Sequence, residues 1–209
     1  MKGPRHIAVA GNIGAGKTTL VNKLSKHYHW QTLLESVDDN PYLADFYEDM
    51  KQWAFPLQIY FLNSRFQQML YAQQSKQTVI QDRTIYEDAF IFGKNLRDNQ
   101  ILSERDFNTY WSVYESMKAM ITPPDLLIYL RASVPTLIDQ ITKRGRDYEQ
   151  TISIKYLETL NQQYEAWIAQ YTESRLLILE TDNLDYVERP EDFGQVISRI
   201  DGEFFGLLS

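Results

Sequence analysis

The feature that most constrains the fold is an eight-residue loop, GNIGAGKT at positions 11–18, between a short apolar run and a stretch with helical spacing. It matches the pattern G-x-x-x-x-G-K-[S/T], in which glycines let backbone N–H groups curl around phosphate oxygens. The N-terminus of the following helix attracts the anion. Lys17 adds positive charge toward the β- and γ-phosphates, and the Thr18 hydroxyl can ligate magnesium. The predicted nucleotide-binding residues are Gly11, Asn12, Ile13, Gly14, Ala15, Gly16, Lys17, Thr18 and Thr19.

The rest of the chain alternates short apolar runs with longer helical patterns. Runs at 6–10, 32–34, 78–80, 126–130 and 176–179 are typical of strands buried on both faces of a parallel sheet. Between them, a helix face recurs at intervals of four and three residues, at Phe55, Ile59, Leu62, Phe66 and Met69. Helices are expected to begin after Ser103 and Ser133, and another to span 154–171. We predict an α/β fold with five parallel strands and a single domain over 1–209. The pattern does not set the strand order.

Composition narrows the class of protein. Lys and Arg total 21 against 28 Asp and Glu, a net charge of −7, which disfavours a nucleic-acid partner. The absence of cysteine excludes disulfides, thiolate zinc sites and cysteine nucleophiles. The longest apolar runs fall far short of the roughly 20 residues that span a bilayer. We therefore expect a cytoplasmic protein with no membrane partner.

Acidic residues follow two of the predicted strands. Glu35 follows the second, Asp82 and Arg83 follow the third, and Thr84 with Glu87 forms a possible capping box. Ligands of open parallel sheets bind outside the carboxyl ends of the strands. One carboxylate there can take a proton from an acceptor hydroxyl, another can bind magnesium, and an arginine can stabilise transferring charge. The alternative is that they are solvated loop acids and an ordinary ion-pair partner.

A basic segment, KRGRDYE at 143–149, follows the fourth strand and its helix. Arg144 and Arg146 flank Gly145, and planar guanidinium groups suit phosphate oxygens while glycine supplies a bend. The segment is consistent with a lid over phosphates. A charged helix end is the alternative.

Together these segments resemble the deoxynucleoside kinases of the deoxycytidine and deoxyguanosine kinase type. The resemblance rests on GNIGAGKTT at 11–19, on Glu35 followed by NPYL at 40–43, on DRTIYED at 82–88 and on KRGRDYE at 143–149. It implies a P-loop kinase fold, a three-layer sandwich with helices on both faces of the sheet and an arginine-rich lid at about 143–151. It also implies ATP and Mg²⁺ as cofactors, a deoxynucleoside and a triphosphate donor as partners, and a homodimer. The reaction would be γ-phosphoryl transfer to the deoxynucleoside 5′-hydroxyl.

The resemblance also assigns roles at the reacting end of the site. Glu35 would be the general base toward the 5′-hydroxyl, and Arg83 would lie beside that hydroxyl. Lys17 would act on the transferring phosphate. Asp82 and Thr18 would hold magnesium. Arg144 and Arg146 would clamp the donor phosphates.

Other residues would bind the sugar and the base. Tyr47 and Glu149 look like the pair that hydrogen-bonds the sugar 3′-hydroxyl. Gln58, Arg65 and Asp88 look like the base-recognition set, with aromatic support from Phe92 or Phe55. Gln58 and Arg65 are seven residues apart and thus on one helical face, although the polar side of an amphipathic helix would show the same spacing.

Four positions depart from the pattern of the animal enzymes: Ser36, Asp82, Ala89 and Gln140. With the retained Gln–Arg–Asp set and the short chain, they favour the bacterial deoxyadenosine and deoxyguanosine kinases, with deoxycytidine also a possible substrate. Deoxyadenosine and deoxyguanosine are not distinguished.

Two other functions share the phosphate loop. A nucleoside monophosphate kinase, such as a thymidylate kinase, needs an extra basic group near the acceptor, whereas Glu35, Asp38 and Asp39 make that edge acidic. A nucleotide switch of the GTPase type would carry an N-K-x-D motif, which the sequence lacks. Tyr110, Tyr114 and Met117 form a stripe that fits either a dimer surface or a core.

Overall fold

The computed structural model describes residues 5–34, 40–146 and 152–205. These residues form a five-stranded sheet of order β2-β3-β1-β4-β5 with every pairing parallel. The strands are β1 His6–Gly11, β2 Gln31–Leu33, β3 Val79–Asp82, β4 Leu126–Arg131 and β5 Arg175–Glu180. All five predicted strands are confirmed, with ends shifted by one or two residues.

Helices connect the strands and cover both faces of the sheet. They are α1 Lys17–Tyr28, α2 Leu43–Glu48, α3 Met50–Gln74, α4 Ile85–Glu87, α5 Lys94–Asp98, α6 Glu104–Lys118, α7 Val134–Arg144, α8 Ile154–Ile168 and α9 Pro190–Phe205. A π-helical segment, Asp88–Gly93, joins α4 to α5. No helix within the described ranges is long and apolar enough to cross a bilayer.

The central strand β1 divides the core between the two faces of the sheet. Ile7 and Val9 belong to the cluster that packs against α1 and α9, whereas Ala8 and Ala10 belong to the cluster that packs against α8. Successive side chains of a strand point to opposite faces, so the apolar run HIAVA supplies both. The three-layer arrangement predicted from the sequence is confirmed.

A third cluster packs α3 against α6. The predicted helix face is present on α3, with Leu62, Phe66 and Met69 buried. Tyr110 and Tyr114 of α6 are fully buried in the same cluster. Their stripe is therefore core, so these two tyrosines offer no dimer surface.

The predicted helix starts can be compared with the structure. Ser103 Oγ accepts a hydrogen bond from Asp106 N at 3.1 Å, and α7 begins directly after Ser133. The helix predicted over 154–171 ends earlier, at Ile168, and the N–H groups of Gln170 and Tyr171 donate to carbonyls three residues back, in a tighter turn.

Candidate active site

The carboxyl ends of β1, β2 and β3 open onto a cavity of about 410 Å³. Its polar end is formed by the phosphate loop and by Arg144 and Arg146 at the end of α7, and its other end by α2, α3 and the π-helical segment. The predicted site residues that line it are Ile13, Gly14, Gly16, Lys17, Thr18, Thr19, Tyr47, Gln58, Arg83, Asp88, Arg144 and Arg146. Residues that are more than 130 positions apart in sequence thus share one cavity.

Some of the predicted site residues do not line the cavity, and others lie outside the described residues. Gly11, Asn12 and Ala15 are buried in the phosphate loop and do not line the cavity. Glu35 and Glu149 fall in segments 35–39 and 147–151, which lie outside the described residues. Their roles therefore stay predictions.

The phosphate loop has a conformation that its glycines permit. Gly14 and Gly16 have φ values of +84° and +87°, a region that side chains rarely adopt. A Cβ on Gly14 would lie 2.8 Å from Leu137 O, and one on Gly16 would lie 2.4 Å from Tyr186 Oη. The loop leads into the N-terminus of α1, where backbone N–H groups and the helix dipole favour phosphate.

Lys17 and the two arginines provide the positive charge of the donor end. The Lys17 side chain is buried, and its Nζ donates to Asn12 O at 3.0 Å, which keeps the ammonium over the loop. Arg144 is the last residue of α7, and Arg146 follows it across Gly145, whose φ is +67°. Both guanidinium groups line the cavity, as a clamp on phosphate oxygens requires.

Thr18 and Asp82 form the pair expected to hold magnesium. Thr18 Oγ1 donates to Asp82 Oδ2 at 2.5 Å. Asp82 is 1% exposed, and its Oδ1 has no hydrogen-bond partner among the described residues. Because hydroxyl and carboxylate oxygens are the ligands that Mg²⁺ prefers, a buried carboxylate oxygen left over beside Thr18 fits this ion. When bound, the ion would neutralise charge on the donor phosphates.

Arg83 has an unusual backbone at the end of β3. Its φ is +69°, a strained conformation for a residue other than glycine, and its N–H donates to Val9 O at 3.0 Å. The guanidinium lies 4.5 Å above the Phe92 ring, and Nη2 lies 3.4 Å from Gly11 O. This turn aims the side chain into the cavity beside the phosphate loop.

The far end of the cavity contains the predicted base-recognition set. Arg65 Nη1 lies 3.0 Å and 3.1 Å from the two Asp88 carboxylate oxygens, and both side chains are 3% exposed. Asp88 and Gln58 line the cavity, while Arg65 lies behind them and beside the Phe61 ring at 4.7 Å. Gln58 is 4% exposed, and its Oε1 has no partner among the described residues. A buried amide oxygen without a partner is suited to a ligand N–H.

Sequence reasoning missed most of the apolar wall. The cavity is also lined by Leu34, Leu43, Phe46, Leu57, Phe61 and Tyr156. Of the two aromatic residues expected to support the base, Phe92 lines the cavity and Phe55 does not. Tyr156 lies in the first turn of α8, just after the basic segment, and burial raises its pKa to about 12, so its phenol stays protonated. In the sequence, the one feature that marks Tyr156 as a site residue is its position shortly after the predicted lid.

Comparison with known proteins gives a consistent result. The family model for deoxynucleoside kinase matches residues 7–205. A deoxyadenosine/deoxycytidine kinase of Bacillus subtilis is 38% identical over 93% of this chain and 90% of its own. A deoxyadenosine kinase of Dictyostelium discoideum is 41% identical over 92% of this chain and 77% of its own.

Solved structures agree. The deoxyadenosine kinase from M. mycoides with the products dCMP and a flexible dCDP bound has a TM-score of 0.83 and 32% identity, over 94% of this chain and 99% of that one. The same enzyme with dATP bound has a TM-score of 0.82. These matches favour a deoxynucleoside kinase over a monophosphate kinase or a nucleotide switch. The phosphate loop, the strand-end residues and the fold thus agree with the comparisons that this chain belongs to the deoxynucleoside kinase family.

Proposed function

We propose that this chain transfers the γ-phosphoryl group of ATP to the 5′-hydroxyl of a deoxynucleoside, with Mg²⁺. The observation that carries the proposal is the two-ended cavity. One end offers the phosphate loop, Lys17 and two arginines, and the other offers the buried Gln58 amide beside the Arg65–Asp88 pair. A triphosphate and a nucleoside placed in these two ends would meet at Arg83.

At the donor end, the chain's residues bind and orient the triphosphate. Lys17 and the loop N–H groups hold the phosphates, and Arg144 and Arg146 close over them. In the reaction, the 5′-oxygen forms a bond to the γ-phosphorus while the bond from that phosphorus to the β,γ-bridging oxygen breaks. Arg83 stabilises the charge passing between the two oxygens. ADP leaves with the bridging oxygen.

The hydroxyl proton needs an acceptor, and we assign that role to Glu35. Its position directly after Leu34, which lines the cavity at the end of β2, supports this assignment. Tyr47, which also lines the cavity, is assigned to the sugar 3′-hydroxyl together with Glu149.

The base end supports deoxyadenosine, deoxyguanosine and deoxycytidine as the acceptor class. A glutamine side chain offers a donor and an acceptor, and each of these bases carries both on one edge. Phe61 and Phe92 supply aromatic walls against which a base can pack. The Bacillus subtilis relative is a deoxyadenosine/deoxycytidine kinase, so one family site accepts a purine and a pyrimidine.

Replacement of Glu35 with Gln tests the reaction. Loss of a general base lowers kcat by about 10²- to 10⁴-fold, while ATP binding, measured by calorimetry, stays within about twofold. Glu48→Gln, an exposed carboxylate at the end of α2, is the matched control and keeps full activity. Unchanged turnover in Glu35→Gln would remove Glu35 as the base.

We also propose a homodimer. Phe90, Trp111 and Trp167 are only partly buried and belong to neighbouring elements, and Lys94 lies 4.6 Å and 5.4 Å from the Phe90 and Trp111 rings. A second copy would cover this aromatic surface. Light scattering should give twice the chain mass, and Trp111→Glu should give a monomer. A monomeric wild-type chain would contradict the proposal.

We propose that the reaction takes place in the cytoplasm, which supplies ATP. Fractionation of cells that express the chain tests this placement, and recovery of the activity outside the cytoplasmic fraction would contradict it.

A further inference from the structure

Glu87 is a fully buried carboxylate at the centre of the site, although it does not line the cavity. Its Oε2 accepts a hydrogen bond from Thr84 N at 3.0 Å, which is the Glu87 half of the predicted capping box. Its Oε1 accepts from Tyr164 Oη at 2.9 Å and from Gly11 N at 3.4 Å. The carboxylate thus joins the β3–α4 turn, α8 and the first residue of the phosphate loop.

Glu87 is also a carboxylate beside Arg83. Arg83 Nε lies 3.6 Å from Glu87 Oε1, and the two side chains are 7% and 0% exposed. A buried guanidinium requires a nearby negative charge, and the position of that charge orients the planar guanidinium group. Phe92 supports one face of the guanidinium, and Gly11 O accepts from Nη2. These contacts hold the Arg83 guanidinium where it lines the cavity beside the phosphate loop.

The Tyr164 hydroxyl is itself held in place. Its ring stacks on Tyr129 with centroids 5.7 Å apart and planes at 16°. Three residues earlier on the same helix face, Asn161 accepts from Asn12 Nδ2 at 2.6 Å and donates to Ala132 O at 2.9 Å. Helix α8 is therefore fixed to the phosphate loop and to the residue that follows β4, and the hydroxyl meets Glu87 at a set position.

Burial raises the pKa of the Glu87 carboxyl above its usual value, and Arg83, Lys17, Thr84 N and the Tyr164 hydroxyl offset part of that rise. The Tyr164 contact therefore favours the ionised form, and only that form can pair with Arg83.

We propose that Glu87, held by Tyr164, is a positioning residue that orients Arg83 for phosphoryl transfer. This inference rests on the proposed function, because it assigns Arg83 to that reaction. Glu87 acts through Arg83 rather than on either substrate. Its removal should therefore lower kcat and leave ATP affinity nearly unchanged.

The test uses Tyr164→Phe, Glu87→Gln and the double variant. Tyr164→Phe removes one hydroxyl, and kcat should fall about tenfold, the factor that corresponds to about 1.4 kcal/mol. Glu87→Gln keeps the shape and removes the charge, and kcat should fall more than tenfold, with KM for ATP within about twofold. The double variant should match Glu87→Gln alone, because the hydroxyl acts through the charge.

Tyr129→Phe is the matched control. It also removes a hydrogen-bonded hydroxyl from the Tyr129–Tyr164 stack, one that donates to Glu165 Oε1 at 3.0 Å and not to Glu87. Its kcat should equal that of the wild type. All assays are run at a temperature below the lowest thermal unfolding midpoint among these variants, as measured by circular dichroism. Differences in stability then do not affect the comparison of kcat.

Three results would overturn the inference: wild-type kcat in folded Glu87→Gln, a loss in the double variant equal to the product of the single losses, or a rise in KM for ATP with kcat unchanged. If the wild-type chain phosphorylates no deoxynucleoside, the proposed function itself is wrong. An active wild type with an equally active Glu87→Gln refutes only the role of Glu87.

Discussion

Replacement of Asp88 with Asn removes the charge partner of Arg65 with almost no change in shape. In the wild type, Arg65 Nη1 contacts both carboxylate oxygens at 3.0 Å and 3.1 Å, and both side chains are 3% exposed. The variant removes the negative charge that this buried guanidinium contacts at Asp88. Removal of one partner of a buried ion pair costs about 3–5 kcal/mol, which is a large part of the stability of a typical domain.

The assay is urea unfolding followed by circular dichroism, with the free energy of unfolding extrapolated to water. The control is Asp98→Asn, because Asp98 pairs with Arg97 at 2.7 Å but the two side chains are 31% and 44% exposed. An exposed pair contributes about 0–1 kcal/mol, so the control should unfold nearly as the wild type does.

A loss below about 1 kcal/mol in Asp88→Asn, or equal losses in the two variants, would show that the buried Arg65–Asp88 pair is no stronger than an exposed one. Either result would mean that water reaches Arg65 or that its charge is compensated elsewhere, and that burial does not set the strength of this pair.

Three further predictions concern stability and nucleotide binding. Burial lowers the pKa of His6, which lies 2.8 Å from Gln81 Oε1. The stability that neutral His6 confers is therefore fully present above about pH 6.5, and it is lost as the pH falls through the pKa of His6 in the folded state. The loss is up to about 1.4 kcal/mol per pH unit. His6→Gln should remove this pH dependence of the free energy of unfolding in urea melts. Gly14→Ala places a Cβ 2.8 Å from Leu137 O at a φ of +84°, so ATP affinity by calorimetry should fall about tenfold or more; equal affinity would contradict the loop geometry. Ser103→Ala removes the cap of α6 and should lower the free energy of unfolding by about 1 kcal/mol, with no change in kcat.

The sequence was sufficient to predict the strands, the phosphate loop and the helix face of α3. Apolar runs such as HIAVA follow from burial on both sheet faces, and the loop motif requires specific residue types at fixed positions. The spacing of Gln58 and Arg65 placed them on one face of α3, where the structure has them. These are local patterns, and local patterns are visible in a single sequence.

What escaped prediction depends on contacts between distant segments. Glu87 and Tyr164 are 77 residues apart, and nothing near either residue indicates that they meet. Tyr110 and Tyr114 have a spacing that suits a surface or a core equally, and only the packing of α6 on α3 decides between them. The strand order likewise depends on crossovers that apolar patterns do not specify.

The phosphotransfer reaction is tested most directly by offering the wild-type chain ATP, Mg²⁺ and one acceptor at a time and identifying the phosphorylated product. The acceptors are deoxyadenosine, deoxyguanosine, deoxycytidine, thymidine and thymidine monophosphate. We expect ADP together with a 5′-monophosphate from at least one of the first three, and little transfer to thymidine monophosphate. Transfer to the monophosphate alone, or hydrolysis of ATP with no phosphorylated nucleoside, would contradict the proposed reaction.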